Sequence, residues 1–200
     1  MRKIVVFENL TLDGVMQAPG RPDEDPRGGF AHGGWAQPYA DPVLASVAGE
    51  SMANTGALLL GQRTYQDFYG YWPKQTDNPF TEVLNTTHKY VASTTLEEPL
   101  AWSNSTLLKG DAAKAVAELK QQPGKDLVVL GSGELVQSLL RADLVDEYLL
   151  LIHPLVLGSG RRLFPDGGPS AALRLVDAKP TTTGVLVATY QPADRDSQQD

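Results

Sequence analysis

Two hundred residues, 42% of them hydrophobic, suit one ordinary domain with a sizeable core. The formal charge of −7 excludes a broad basic face for nucleic acid, while leaving room for one anionic ligand held by local donors. With no cysteine there is no disulfide, no thiolate chemistry and no cysteine-bound metal, a composition compatible with the cytoplasm. No apolar run reaches the roughly 18 residues that a membrane helix requires.

The chain opens with Lys3 to Phe7, an apolar run that Glu8 and Asn9 cut too short for a signal peptide. It reads as a strand buried on both faces. Residues 17–42 are rich in Gly, Pro and Asp, without periodicity, and predict a long functional loop or lid. Asp41-Pro42 then opens a helix ending near Asn54, with Asp41 at the N-cap position. Ala57–Leu60 predicts a second strand, Thr64–Tyr71 a short helix, and His88–Ser93 a third strand. Residues 111–120, capped by Asp111, form the clearest helix. Leu127–Leu130 is a further buried strand, followed by a helix over Glu134–Arg141. This alternation predicts a mostly parallel sheet covered on both faces. Strand-like segments at Glu147–Ile152, Leu155–Leu157, Leu173–Ala178 and Gly184–Tyr190, without long helices between them, predict an antiparallel C-terminal edge. One domain over 1–190 and a disordered polar tail over 191–200 follow.

The strongest local signal is Leu127–Leu130 running into Gly131-Ser132-Gly133-Glu134-Leu135. Glycines between a strand and a helix let backbone N–H groups approach a phosphate; the alternative is a tight turn that binds nothing. Val136 stands where the full dinucleotide fingerprint has its third glycine. A second Gly-Ser-Gly, at 158–160, has no following helix and reads as a hairpin turn. Leu60-Gly61-Gln62-Arg63-Thr64 repeats the strand–glycine–helix pattern and adds a guanidinium and a hydroxyl, a set suited to a phosphate monoester. Ser93-Thr94 makes a third polar strand end. Three such ends put a ligand at the carboxyl ends of the strands. His32, His88 and His153 lack metal-ligand spacing, so no metal is expected.

Taken together, Thr11-Leu12-Asp13-Gly14-Val15, Gly61-Gln62-Arg63-Thr64-Tyr65, Leu130-Gly131-Ser132-Gly133, Leu144–Tyr148 and His153–Gly160 with Leu163-Phe164 stand in family order. The chain thereby resembles the dihydrofolate-reductase-like family that includes the riboflavin-biosynthesis reductase (RibD C-terminal) domain. The resemblance implies a three-layer α/β fold, NADPH as hydride donor, a small-molecule substrate and a homodimer. It puts Gly61, Arg63 and Thr64 on the adenosine 2′-phosphate and Ser93 and Thr94 beside the adenine ribose. Gly131, Ser132, Gly133, Glu134 and Leu135 would face the pyrophosphate and nicotinamide, and Asp13, Gly14 and Val15 the nicotinamide and substrate. Gln62 departs from the family, which usually has an arginine there.

The implied activity is an NADPH-dependent reductase of a heterocyclic or sugar-linked C=N or C=O group, closest to the 5-amino-6-(5-phosphoribosylamino)uracil reductase type. Its proton donor is open: Asp13 (or a turn residue), Asp41 (or an N-cap), Glu50 (or a solvated face). Trp35 could stack on a flat heterocycle. No second basic cluster is evident for a ribose phosphate. The alternative is a non-catalytic nucleotide-binding or dimerisation module that keeps the fold.

Overall fold

The computed structural model describes residues 1–193. Eight strands form one sheet: β1 (Ile4–Thr11), β2 (Thr55–Gly61), β3 (His88–Ala92), β4 (Ser105–Leu108), β5 (Asp126–Leu130), β6 (Glu147–His153), β7 (Leu173–Pro180) and β8 (Leu186–Pro192). Their order is β4-β3-β2-β5-β1-β6-β8-β7. All neighbouring pairs are parallel except those made by β8, which runs against both β6 and β7. The expected parallel sheet with an antiparallel C-terminal edge is therefore present. Central strands must be apolar toward both layers, and Leu58, Leu59 and Leu60 are accordingly all fully buried.

The helices divide between the faces. α1 (Pro42–Asn54), α2 (Gln62–Tyr71) and α3 (Phe80–Thr86) cover one; α4 (Ala112–Gln121) and α5 (Gly133–Arg141) cover the other. Val116 and Leu119 of α4 and Leu135, Val136 and Leu139 of α5 pack on Ile4, Val6, Leu127 and Val129. Tyr65 of α2 and Leu84 of α3 pack on Val5, Leu58, Leu60 and Val128. This is the expected three-layer arrangement. Asp41 and Asp111 cap α1 and α4, their carboxylates accepting the N–H groups of Val43 and Lys114.

Several elements differ from the sequence expectation. Residues 155–157 are not strand but part of a long excursion between β6 and β7, so the 158–160 turn closes no hairpin. α3 and β4 were not anticipated: α3 buries only Leu84, and β4 is a four-residue edge strand. Gln191 and Pro192 still pair with β7, so the polar tail starts later than 191, and residues 194–200 lie outside those described.

Candidate active site

β2 and β5 are parallel neighbours, yet α2 leaves β2 toward one face and α5 leaves β5 toward the other. Such a divergence opens a crevice at the carboxyl ends of the strands. The crevice here is a cleft of about 1260 Å³.

Its floor is built from the two glycine turns. The Ser132 hydroxyl accepts the Gly61 N–H at 2.7 Å and donates to Thr64 Oγ1 at 3.0 Å. Ser132 is therefore spent across the cleft instead of capping its own helix, and neither α2 nor α5 carries a side-chain cap. The first-turn amides of both helices are left to an anion. The floor stays open only because its residues are small. A Cβ on Gly131, whose φ is +57°, would stand 3.0 Å from Thr64 Oγ1. One on Gly133 would meet Met16 Sδ at 2.7 Å. These residues fit the pyrophosphate of a dinucleotide, with glycine where backbone must approach.

Arg63 is exposed on the cleft wall and makes no ion pair among the described residues. Gln62 is a clamp: its Oε1 accepts hydroxyls from Ser93 and Thr95, both at 2.7 Å, tying α2 to the end of β3. Ser93 Oγ also accepts the Thr95 and Leu96 N–H groups, so it shapes the turn, while Thr94 is exposed in the cleft.

Of the residues singled out in the sequence, Gly61, Arg63, Thr64, Ser93, Thr94, Gly131, Ser132, Gly133, Glu134 and Leu135 all line this one cleft. Gly14 and Val15 do not. Gly14 turns the chain at φ +78°, and Val15 is fully buried in a small core with Ala18, Phe30 and Trp35.

The four residues named for substrate chemistry also lie outside the cleft lining. Asp13 accepts from Thr11 Oγ1 and from the Leu157 and Gly158 N–H groups, pinning the 157–160 segment to the end of β1. The Thr11 hydroxyl and these amides hold its carboxyl below the usual range, so it has no proton to give near neutrality. Asp41 caps α1 and accepts from the hydroxyl and N–H of Thr182, the hydroxyl first among the causes that lower its pKa. Trp35 is 7% exposed, donates Nε1 to the Gln17 carbonyl at 2.7 Å and sets its ring edge-on to His153. It anchors the loop from inside.

That loop does wall the cleft, but through its first half. Gly34 and Ala36 donate back to the Ala18 and Pro19 carbonyls, and the Gln17 amide donates to the Asp25 and Arg27 carbonyls. The loop thus closes on itself as a compact surface unit. Gln17 to Gly20, Arg21, Glu24 and Arg27 face the cleft.

Sequence reasoning passed over Glu8. It is 3% exposed on β1, lines the cleft, and its Oε1 has no hydrogen-bond partner among the described residues. Burial, with a smaller contribution from Glu24, pushes its carboxyl well above the usual range. The signal was available: a lone acid in phase with Ile4 and Val6 points at the core. Trp72, which the sequence offers at least equally as a core aromatic, lines the cleft with a buried Nε1 that has no partner among the described residues.

Known proteins resemble the chain along most of its length. The RibD C-terminal domain family matches residues 2–187. The uncharacterized Bacillus subtilis protein YyaP is 27% identical over 195 residues, 94% of either chain. A second B. subtilis protein, the uncharacterized YwjB, is 35% identical over 74 residues, 37% of this chain and 42% of that one. Among solved structures, a Shewanella sp. PV-4 protein ascribed to riboflavin biosynthesis superposes with a TM-score of 0.69 at 22% identity, covering 96% of this chain and 99% of that one. Dihydrofolate reductase from Enterococcus faecalis, complexed with NADP(H), superposes at 0.61 with 13% identity, covering 96% and 97%. At those identities the structures establish the fold, which is dihydrofolate-reductase-like. Because the family match spans nearly every described residue, the chain belongs to the RibD C-terminal domain family.

Proposed function

We propose that the protein is an NADPH-dependent reductase that transfers hydride to a C=N or C=O group of a small heterocyclic or sugar-linked substrate. The observation that carries this is the Ser132 bridge: one hydroxyl joins two uncapped helix N-termini over a floor of glycines. Two convergent sets of open amides suit the pyrophosphate, and Arg63, without an ion pair among the described residues, suits a 2′-phosphate. Gln62 carries no charge, and its carbonyl oxygen holds α2 to the end of β3 through Ser93 and Thr95, so the charge for that phosphate would come from Arg63. The bound dinucleotide would supply the hydride; the chain orients it and excludes water with the 17–27 wall.

The working form we propose is a cytoplasmic homodimer. No described helix is long and apolar enough to cross a membrane. The outer strand β7 exposes Leu175 and Val176, apolar surface that a second copy could cover. Titration with NADPH and NADH, followed by NADPH oxidation against pterins, pyrimidines, quinones and cyclic imines, tests the activity. Micromolar NADPH binding with turnover of one class supports it; no binding at millimolar levels removes it.

A further inference from the structure

Hydride addition to C=N or C=O leaves a negative heteroatom that must gain a proton. The residues named from sequence do not provide one, since Asp13 and Asp41 are spent on backbone and hydroxyl donors away from the cleft and Glu50 lies outside its lining. β5 supplies a different neighbour. Phe7 pairs with Leu130, after which β5 turns away at Gly131 while β1 runs on to Thr11. Glu8 is therefore the first β1 residue beside the glycine turn. Its place in the alternation, after Ile4 and Val6, sets it on the face where α5 begins.

An unpaired acid in such a place costs stability, since a buried polar atom without a partner pays desolvation and gains nothing back. Among the described residues no cation stands beside it. The cleft's arginines at this end are already engaged: Arg21 with Asp67 at 2.5 Å, Arg27 with Asp25, and Arg162 with the Asp13 carbonyl at 2.8 Å. Arg161 is shared with Glu134 at 3.6 Å. Glu24, the charged neighbour that acts on Glu8, is itself bound to the Gly20 and Arg21 amides. Among the described residues each arginine at this end is paired with a carboxylate, Arg162 with Asp13 at 3.8 Å, so a phosphate on the substrate would find no unpaired cation there.

We propose that Glu8 is the catalytic proton donor and that its substrate is an uncharged nitrogen heterocycle carrying no phosphate. The step rests on the reductase reading and balances with it. The C=N carbon receives the hydride, the Glu8 O–H breaks to give its proton to the nitrogen, the C=N π bond becomes C–H and N–H, and the nicotinamide is left oxidised. Glu8, now a carboxylate, regains a proton from water that enters the cleft once the product has left.

The test compares wild type with Glu8→Gln, which keeps shape and removes the titrating proton. Infrared difference spectroscopy at pH 7 should show a protonated carboxylic acid band in wild type that Glu8→Gln lacks. Both proteins should bind NADPH alike, and with quinoxaline, a C=N heterocycle too weakly basic to be protonated at pH 7, as the imine probe single-turnover reduction should fall about a hundredfold or more in the variant. Ribose 5-phosphate, a probe for a phosphate subsite, should leave the NADP⁺-saturated protein unbound at millimolar levels. A wild-type spectrum without the acid band, or equal imine reduction by both proteins, overturns the role of Glu8. Ribose 5-phosphate binding overturns the substrate class. Should neither protein bind NADPH, the reductase reading falls and the role of Glu8 falls with it; NADPH binding without the band removes Glu8 alone. Glu8→Asp covers a misfolded Gln variant, because it should keep the acid band and part of the rate.

Discussion

Ser132 Oγ sits 2.7 Å from the Gly61 nitrogen, joining two residues 71 positions apart in sequence across the line where the helices part to opposite faces. One hydroxyl thus fixes the spacing of two anion-binding helix ends. Ser132→Ala should lose the bridge while keeping the left-handed backbone, φ +67°. The Gly61 N–H would lose its partner, costing about 1–3 kcal/mol of stability. Dinucleotide affinity should fall roughly tenfold or more, since each 1.4 kcal/mol is a factor of ten. Calorimetric titration with NADPH, alongside a denaturation curve, separates the two effects.

The glycines of the floor should fail in different ways. Gly131→Ala forces a Cβ into a left-handed residue and against Thr64, costing about 1–2 kcal/mol in backbone strain alone. At Gly133 no positive φ is required, and the obstacle is the flexible Met16 side chain. Gly133→Ala should therefore fold, and Met16→Ala should restore much of any lost stability. Thermal melts of the two single variants and of the Gly133→Ala/Met16→Ala pair check this.

NADPH binding should quench Trp72 and leave Trp35 nearly unchanged. Trp72 lines the cleft, whereas Trp35 is sealed within the loop with its Nε1 on Gln17. Single-tryptophan variants retaining only Trp72 or only Trp35 report this directly; quenching confined to Trp35 would contradict the placement.

His153 should make the protein acid-sensitive. Its ring is 1% exposed, bonded through Nε2 to Asn9 at 3.0 Å, and burial lowers its pKa from 6.5 to about 4. The folded form then stays neutral while the unfolded chain takes up a proton below pH 6.5. Stability is lost as pH falls from about 6.5 to about 4, by on the order of 3 kcal/mol in all. Urea unfolding at stepped pH should show that slope, and His153→Gln should flatten it.

How legible all this was in the sequence depended on how local each signal is. Strand–glycine–helix junctions are short-range chemistry, and Gly61–Thr64 and Gly131–Leu135 do line one cleft. Polar residues with two uses were harder. Asp13 and Asp41 are motif-like acids, but their oxygens are satisfied by Leu157, Gly158 and Thr182, more than 140 residues away. No local pattern reveals such partners. Trp35 belongs to the loop whose first half walls the cleft, but which side of the loop it faces depends on how the loop closes on Gln17. Glu8 was the opposite case: its alternation with Ile4 and Val6 announces burial, but only the end of β5 at Leu130 shows why a buried acid would be there.

Paired NADPH and NADH titrations of wild type and Arg63→Ala most directly test whether this cleft holds NADPH. Arg63 has no other partner among the described residues, so its removal should leave the fold alone. Wild type should bind NADPH in the micromolar range and prefer it to NADH. Arg63→Ala should weaken NADPH by about ten- to a hundredfold, the worth of one charge-assisted contact, and leave NADH within about twofold. Equal affinity of wild type for the two cofactors, or equal losses for both in the variant, would contradict the account.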